Sequence, residues 1–275
     1  MDIKDLDACR ELRKEIFLTA YKGGMAHLAS CFSAIEILYT LYLKGVLRCD
    51  PMQSDALSRD HFILSKGHSA LALYAVLQKA GFITKAELHS YLQPGCRVGG
   101  EPRLGDLPGV EATTGSLGHG LPMAVGIALA QKMDKIPFRT YVLLGDGECE
   151  EGSIWEAAMA ASAFALDNLI VILDCNGLQK TAAVSDIVKN VQWKEKWQSF
   201  GWTVREADGH DPDALKSSLL PDTEEGKPAL IIAHTVKGKG VSVMEGNPLW
   251  HFKLPNRKEL KVFTEELHIT DEEMK

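Results

Sequence analysis

Several features that would assign a chain to a class at once are missing here. There is no basic excess: Lys and Arg number 30 against 37 Asp and Glu, a formal net charge of −7. That disfavours a nucleic-acid binder, although it leaves room for a local basic pocket around a phosphate. The six cysteines (Cys9, Cys31, Cys49, Cys96, Cys149 and Cys175) form no C-x-x-C. Wide, irregular spacing in a chain of this length fits reduced intracellular thiols, not a disulfide framework. No apolar run reaches the roughly 18 residues of a membrane span. The charged opening, MDIKDLDACRELRKEI, lacks a signal-peptide core, so a cytoplasmic protein is expected. No internal repeat or low-complexity segment stands out.

What is present is ordinary for a soluble globular chain: 275 residues, 45% hydrophobic and 24% charged. The length allows one large domain or two small ones and a substantial core. Residues 5–20 read as a charged amphipathic helix, and 32–44 as a helix apolar on more than one face, hence buried. A short strand (61–65) and a helix (69–80) follow. Residues 93–120 form a long loop rich in glycine, with Pro94, Pro102 and Pro108; long ordered loops in compact domains tend to carry function.

The second half is more regular. Helices are expected at 121–134, 153–166, 193–200 and 211–220. Strands are expected at 140–144, 169–173, 202–207 and 229–235. LIVIL at 169–173 is uniformly apolar, as a strand covered on both faces should be. Alternation of strand and helix gives an α/β architecture, a mostly parallel sheet between helix layers. Such sheets place ligands at the carboxyl ends of their strands, which points to the residues directly after Leu144, Asp174 and Thr235.

Two of those strand ends carry chemistry. TYVLL runs into Gly145-Asp146-Gly147-Glu148, where the glycines permit a tight turn and close ligand approach. Thirty residues on, LIVILD runs into Cys175-Asn176-Gly177-Leu178-Gln179. Mg²⁺ and Ca²⁺ take oxygen ligands, and Mg²⁺ commonly takes one or two carboxylates plus phosphate oxygens. Two adjacent parallel strands would thus deliver Asp146 and Asn176 to one diphosphate-bound cation. G-D-G alone is a common turn, and Asn-Gly after a strand is usually another. The two at strand ends, with a helix between, form a far more specific pattern.

The segment GDGECEEGSIWEAAMAASAFALDNLIVILDCNGLQ resembles the thiamine-diphosphate-binding motif, and more closely the N-terminal part of transketolase. RDHFILSKGHSALALYAVL, PGVEATTGSLGHGLPMAVGIALA and TVKGKGVSVMEGNPLWHFK resemble further segments of that family, and the likeness runs from about residue 10 to about 257. It implies a thiamine-diphosphate-binding fold over residues 1–257, with 258–275 as a charged tail. It implies that Asp146, Asn176 and the backbone oxygen of Leu178 hold Mg²⁺ or Ca²⁺ on the cofactor diphosphate. His68 and His251 would contact that diphosphate, helped by Gly145, Gly147 and Glu148. Gly115, Ser116, Leu117 and Gly118 would border the thiamine. His27 would sit at the substrate mouth, and His27, His68 and His251 are the candidates for proton handling or hydroxyl binding. Taken alone, each histidine could equally be a packed or helix-start residue. His61, His89, His210, His234 and His268 have no supporting context and are read as structural. Lys237 and Lys239 fit either an anionic pocket or a solvated loop.

Four departures from the family pattern matter. Ala26-His27-Leu28-Ala29 replaces Gly-His-Pro-Gly, losing glycine's freedom and proline's rigidity around the imidazole. Gly100-Glu101-Pro102 replaces a second Gly-His-Pro. A carboxylate only accepts where neutral imidazole can donate or accept, so Glu101 implies a donor other than the usual ketose phosphates or a shifted pose, unless it turns away from the site. His119 stands for a glutamine, and Lys180-Thr181 for Ile-Asp, with Lys180 expected in solvent.

The family's pyrimidine-binding module supplies the glutamate that activates the cofactor, and nothing in residues 252–275 folds into such a module. The resemblance therefore implies one subunit of a split transketolase. The two-chain enzyme would move a two-carbon ketol unit from a ketose (phosphate) to an aldose acceptor with thiamine diphosphate and a divalent metal. A separate C-terminal subunit would complete it, two copies of each chain being the expected assembly. The alternatives are another thiamine-diphosphate enzyme component, of the deoxyxylulose-phosphate synthase kind, and a cofactor-binding protein without turnover.

Overall fold

A computed structural model describes residues 2–52, 56–189, 191–220 and 224–274; Lys275, the end of the expected tail, lies outside them. Helix α1 (Ile3–Gly23) starts where Asp2 accepts from the Lys4 backbone N–H. It ends where Gly24, at φ 83°, returns its N–H to Ala20. Then come α2 (Leu28–Ser33), α3 (Ile35–Tyr42), strand β1 (His61–Leu64), α4 (Ala70–Lys79) and α5 (Lys85–His89). The long loop leads to α6 (Gly120–Met133), β2 (Thr140–Gly145), α7 (Gly152–Ala163) and β3 (Leu169–Cys175). The chain continues through α8 (Val184–Ile187), α9 (Trp193–Ser199), β4 (Thr203–Asp208), α10 (Pro212–Leu219), β5 (Ala229–His234) and α11 (Arg257–Glu266).

The five strands form one sheet in the order β1-β2-β3-β5-β4, every pairing parallel. The α/β expectation holds, and both faces of the sheet are covered. Tyr141, Leu143, Ile170, Ile172 and Ile231 join a core with α1, α3, α4 and α10. Val142, Leu144, Val171, Leu173, Leu230 and Ile232 join a second core with α6, α7 and α9. This period of two in central strands is what parallel sheets buried on both sides require.

Chain order and strand order part company after β3. The chain moves outward from β1 to β3, jumps to the edge strand β4, then returns to β5. A right-handed crossover going outward and one coming back leave their helices on opposite faces. Accordingly α9 packs in the second core and α10 in the first. The switch point lies between the carboxyl ends of β3 and β5, where open α/β sheets bind ligands.

Three elements differ from the sequence reading, one of them the short α8, which falls where no helix is expected. The helix expected at 32–44 is two helices with a break at Ala34, both buried as expected. α5 falls in a stretch with no assigned helix. No described helix is long and apolar enough to cross a membrane.

Candidate functional site

The three strand ends named by the sequence converge. Asp146 follows β2 and is 2% exposed. Its carboxylate accepts from the backbone N–H of Gly147 at 2.8 Å and of Gly177 at 2.5 Å, which ties the end of β2 to the loop after β3. In that loop the Asn176 side-chain oxygen accepts from the Leu178 N–H at 3.1 Å. From the end of β5, Lys237 reaches across the switch point and donates to the Leu178 carbonyl at 3.0 Å and the Gln179 carbonyl at 3.4 Å. The oxygens of Asp146, Asn176 and Leu178 therefore gather at one loop with a cation already beside them.

The electrostatics of this cluster are those of an unmet need. Burial, reinforced by the nearby Asp174 charge, pushes the Asp146 carboxyl up to about 6. Burial and the neighbouring Lys66 ammonium pull Lys237 down to about 8. A buried carboxylate raised this way is relieved by a cation, and a buried ammonium lowered this way is relieved by an anion. A divalent cation carried on a diphosphate supplies both, so the donor set fits that group. Among the described residues no three His, Cys, Asp or Glu side chains gather to hold a metal ion alone.

Three imidazoles stand over this floor. The His27 ring centroid is 5.4 Å from His68 and 5.2 Å from His251, and His68 is 5.8 Å from His251. His27 precedes α2, His68 lies in the short turn before α4, and His251 follows the turn Pro248–Trp250. The Lys237 ammonium lies 3.3 Å from His251 Nδ1. Burial first, then the Lys237 charge, pulls His27 and His251 down to about 4; burial drives His68 well below its ordinary value. All three are neutral at physiological pH, able to donate from one nitrogen and accept at the other.

The expected glycine-rich border sits against the cation site. Gly118 donates its N–H to Glu148 at 2.9 Å, and Glu148 also accepts from the Gly145 N–H at 3.1 Å and from the Ser65 hydroxyl. Glu148 is thus buried and directed at the loops it ties together. A side chain at Gly67 would come within 2.7 Å of the Gly115 nitrogen, so the two loops touch backbone to backbone. Beyond them opens a cavity of about 1070 Å³ whose lining includes His27, Glu101, Ser116, His119, Phe252 and Arg103. Glu101 faces the site: its carboxylate lies over Gly115, close enough to fill the space of a Cβ there.

Lys66, Asp174 and Lys237 are the site residues that sequence reasoning missed or left open. Asp174, next to last in β3, is fully buried and accepts from the Lys66 ammonium, the Thr235 hydroxyl and, at 2.7 Å, the Ser33 hydroxyl. A charged residue closing an otherwise apolar strand was the available signal, because a buried charge requires partners. Lys237 is buried in the site, whereas Lys239 is only half-buried and pairs with Glu245 at 3.5 Å. Lys180 is exposed, as expected, yet its charge still bears on His27 and His251. His61, His89, His210 and His234 pair with Glu111, Glu15, Glu36 and Glu206, outside the cluster.

The family described as transketolase, thiamine diphosphate binding domain, matches residues 4–269. The chain belongs to the transketolase family. It is similar to an apulose-4-phosphate transketolase subunit of Actinobacillus succinogenes, 42% identical over 255 residues, covering 93% of this chain and 92% of that one. It is 38% identical over 231 residues to the 6-deoxy-6-sulfo-D-fructose transketolase subunit SqwG of a Clostridium species, covering 84% of each. Among solved structures, transketolase from Leishmania mexicana superposes with a TM-score of 0.84 at 26% identity over 100% of this chain. The chain spans 46% of that enzyme. Within the family the fold is the α/β thiamine-diphosphate-binding one, and the strand-end cluster lies inside the matched residues.

Proposed function

We propose that this chain is the N-terminal subunit of a two-chain transketolase that moves a two-carbon ketol unit from a ketose or ketose phosphate donor to an aldose acceptor. The observation that carries this reading is the juxtaposition of a cation-hungry Asp146 loop with an anion-hungry Lys237 under three neutral imidazoles. Relatives named as single transketolase subunits are matched over nearly their whole length, which supports a separate C-terminal subunit as partner. Two copies of each chain make the assembly. The domain is drawn as residues 1–257, with 258–275 as a charged segment whose Phe263 and Leu267 pack back on the core.

In this reading Asp146, Asn176 and the Leu178 carbonyl hold Mg²⁺ or Ca²⁺. His68, His251 and Lys237 hold diphosphate oxygens, with Gly145 and Gly147 giving close backbone approach and Glu148 fixing their loop. Residues 115–118 would border thiamine diphosphate, which would supply the nucleophilic carbon for carbonyl addition. This chain's part is to bind, orient and move protons. His27 and His251 reach donor hydroxyls at the mouth, and a neutral imidazole can take a hydroxyl proton and return it to the product. Glu101, an acceptor facing the same cavity, selects donors presenting hydroxyls there and repels anions. The six free cysteines suit work in the cytoplasm.

The test is two-carbon transfer by the purified two-chain complex with thiamine diphosphate and Mg²⁺ across a panel of ketoses and ketose phosphates. Transfer is expected, and Glu101→His is expected to move donor preference toward phosphorylated ketoses by about tenfold, the scale of one hydrogen bond in a binding pocket. An inactive complex would overturn the activity. An unchanged donor ranking in Glu101→His would overturn the role of Glu101.

A further inference from the structure

We propose that Phe252 is the positioning residue that aims the His27 imidazole into the site. The need is visible in the segment itself. His27 sits at φ −91°, ψ 61° before α2, with no side-chain capping bond. Neither glycine nor proline flanks it in Ala26-His27-Leu28-Ala29. Among the described residues no hydrogen bond reaches its ring. What surrounds the ring is other rings. The Phe252 ring packs on it at 4.7 Å between centroids, tilted by 48°, nearer than His251 or His68.

The platform that carries Phe252 is itself fixed. Trp250 is 1% exposed and lies 5.3 Å from Phe263 of α11, which lies 4.9 Å from Phe17 of α1. Lys253 folds back with its ammonium 4.2 Å from the Trp250 ring centre and 2.5 Å from Glu259. Consecutive residues of the segment therefore do different things: Trp250 anchors it, His251 faces the site, Phe252 covers His27, and Lys253 clamps the anchor. An imidazole without hydrogen bonds but packed on an aromatic ring, carried by a segment anchored at Trp250, has its rotamers limited by that packing, which keeps a reacting group in register. The aromatic contact does here what backbone stiffness would otherwise do. Phe252 is 49% exposed and lines the large cavity beside His27, so its contact covers one face of the imidazole where the site opens.

The kinetic arm of the test rests on the ketol-transfer reading; the spectroscopic arm does not. In the two-chain complex, Phe252→Ala is expected to lower kcat about tenfold, with the affinity for thiamine diphosphate changed less than twofold, and Phe252→Tyr is expected to restore at least half of the activity. In a His27→Ala background, Phe252→Ala is expected to cost nothing further, because its effect passes through the lost imidazole. An equal cost in both backgrounds would overturn the proposal.

The second arm follows the ring signals of His27 by NMR in the full chain. The groups facing that ring are His68, His251, Lys237 and Lys180. None is altered by the substitution, so a change reports the lost cover. Phe252→Ala is expected to hydrate His27 and move its titration midpoint upward, with averaging of its ring orientation, while Phe252→Tyr leaves both in place. An unmoved His27 signal in Phe252→Ala would overturn the proposal whether or not the complex shows transketolase activity.

Discussion

Two buried ion pairs of this chain serve purposes that their positions separate. Lys66 and Asp174 stand directly behind the cation loop. Arg13 and Glu36 stand on the far side of the sheet from α7, where Glu36 takes Arg13 at 2.7 Å through both oxygens and lies 2.9 Å from His210. Burial alone would raise the Glu36 carboxyl, but the Arg13 guanidinium overrides it and holds the group at about 2. A carboxylate lowered from an ordinary 4.5 contributes stability that is complete above 4.5 and is lost as pH falls toward 2. Glu36→Gln is therefore expected to cost about 3 kcal/mol at pH 7, the scale of breaking a buried pair. The gap from wild type, followed by urea denaturation, should narrow as the pH drops below 4.5. Residues of this kind were only partly legible. The strand-end Asp146 and Asn176 announced themselves by spacing, and the histidines by their neighbours. Lys66 and Lys237 did not, because their charge is informative only once burial is known.

At the scale of elements, the glycine loops show how closely the sheet ends approach one another. Gly118 has φ +82°, and a Cβ there would meet Glu151 Cβ and Ser153 Oγ, each at 2.6 Å. Gly118→Ala is expected to cost about 1–3 kcal/mol in strain and overpacking, and to weaken thiamine diphosphate binding by shifting the Glu148-held loop. Gly126, inside α6 with open space around it, is the control. Gly126→Ala should be neutral or stabilising by up to about 1 kcal/mol. Denaturation midpoints and cofactor titrations of the two variants check both statements. Strands were read well because uniform apolarity and alternation with helices leave few alternatives. The helix break at Ala34 was not readable, since the apolar run continues through it. α5 was readable in principle: Thr84 and Glu87 form a reciprocal capping box around its first turn, a pattern that so short a helix, with no apolar period of its own, does little to support.

Across the whole molecule, the switch point explains why so few residues make a site. The ends of β2, β3 and β5 bring Asp146, Asn176 and Lys237 together, and the turns before α2 and α4 and after Trp250 add three imidazoles. Of these residues only His27 reaches the neighbouring cavity of about 1070 Å³, which Glu101 also lines. In the proposed reading this is half a cofactor site, one that would hold a diphosphate and a metal and leave the far end of the ligand to the second chain. The decisive measurement is a calorimetric titration of thiamine diphosphate into the chain alone and into the two-chain complex, with Mg²⁺ and with chelator. Binding to the chain alone should be weak, Mg²⁺-dependent and lost in Asp146→Ala, and the complex should bind at least about 100-fold more tightly, roughly 3 kcal/mol. Equal affinity with and without the second chain, or binding indifferent to both Mg²⁺ and Asp146, would contradict it.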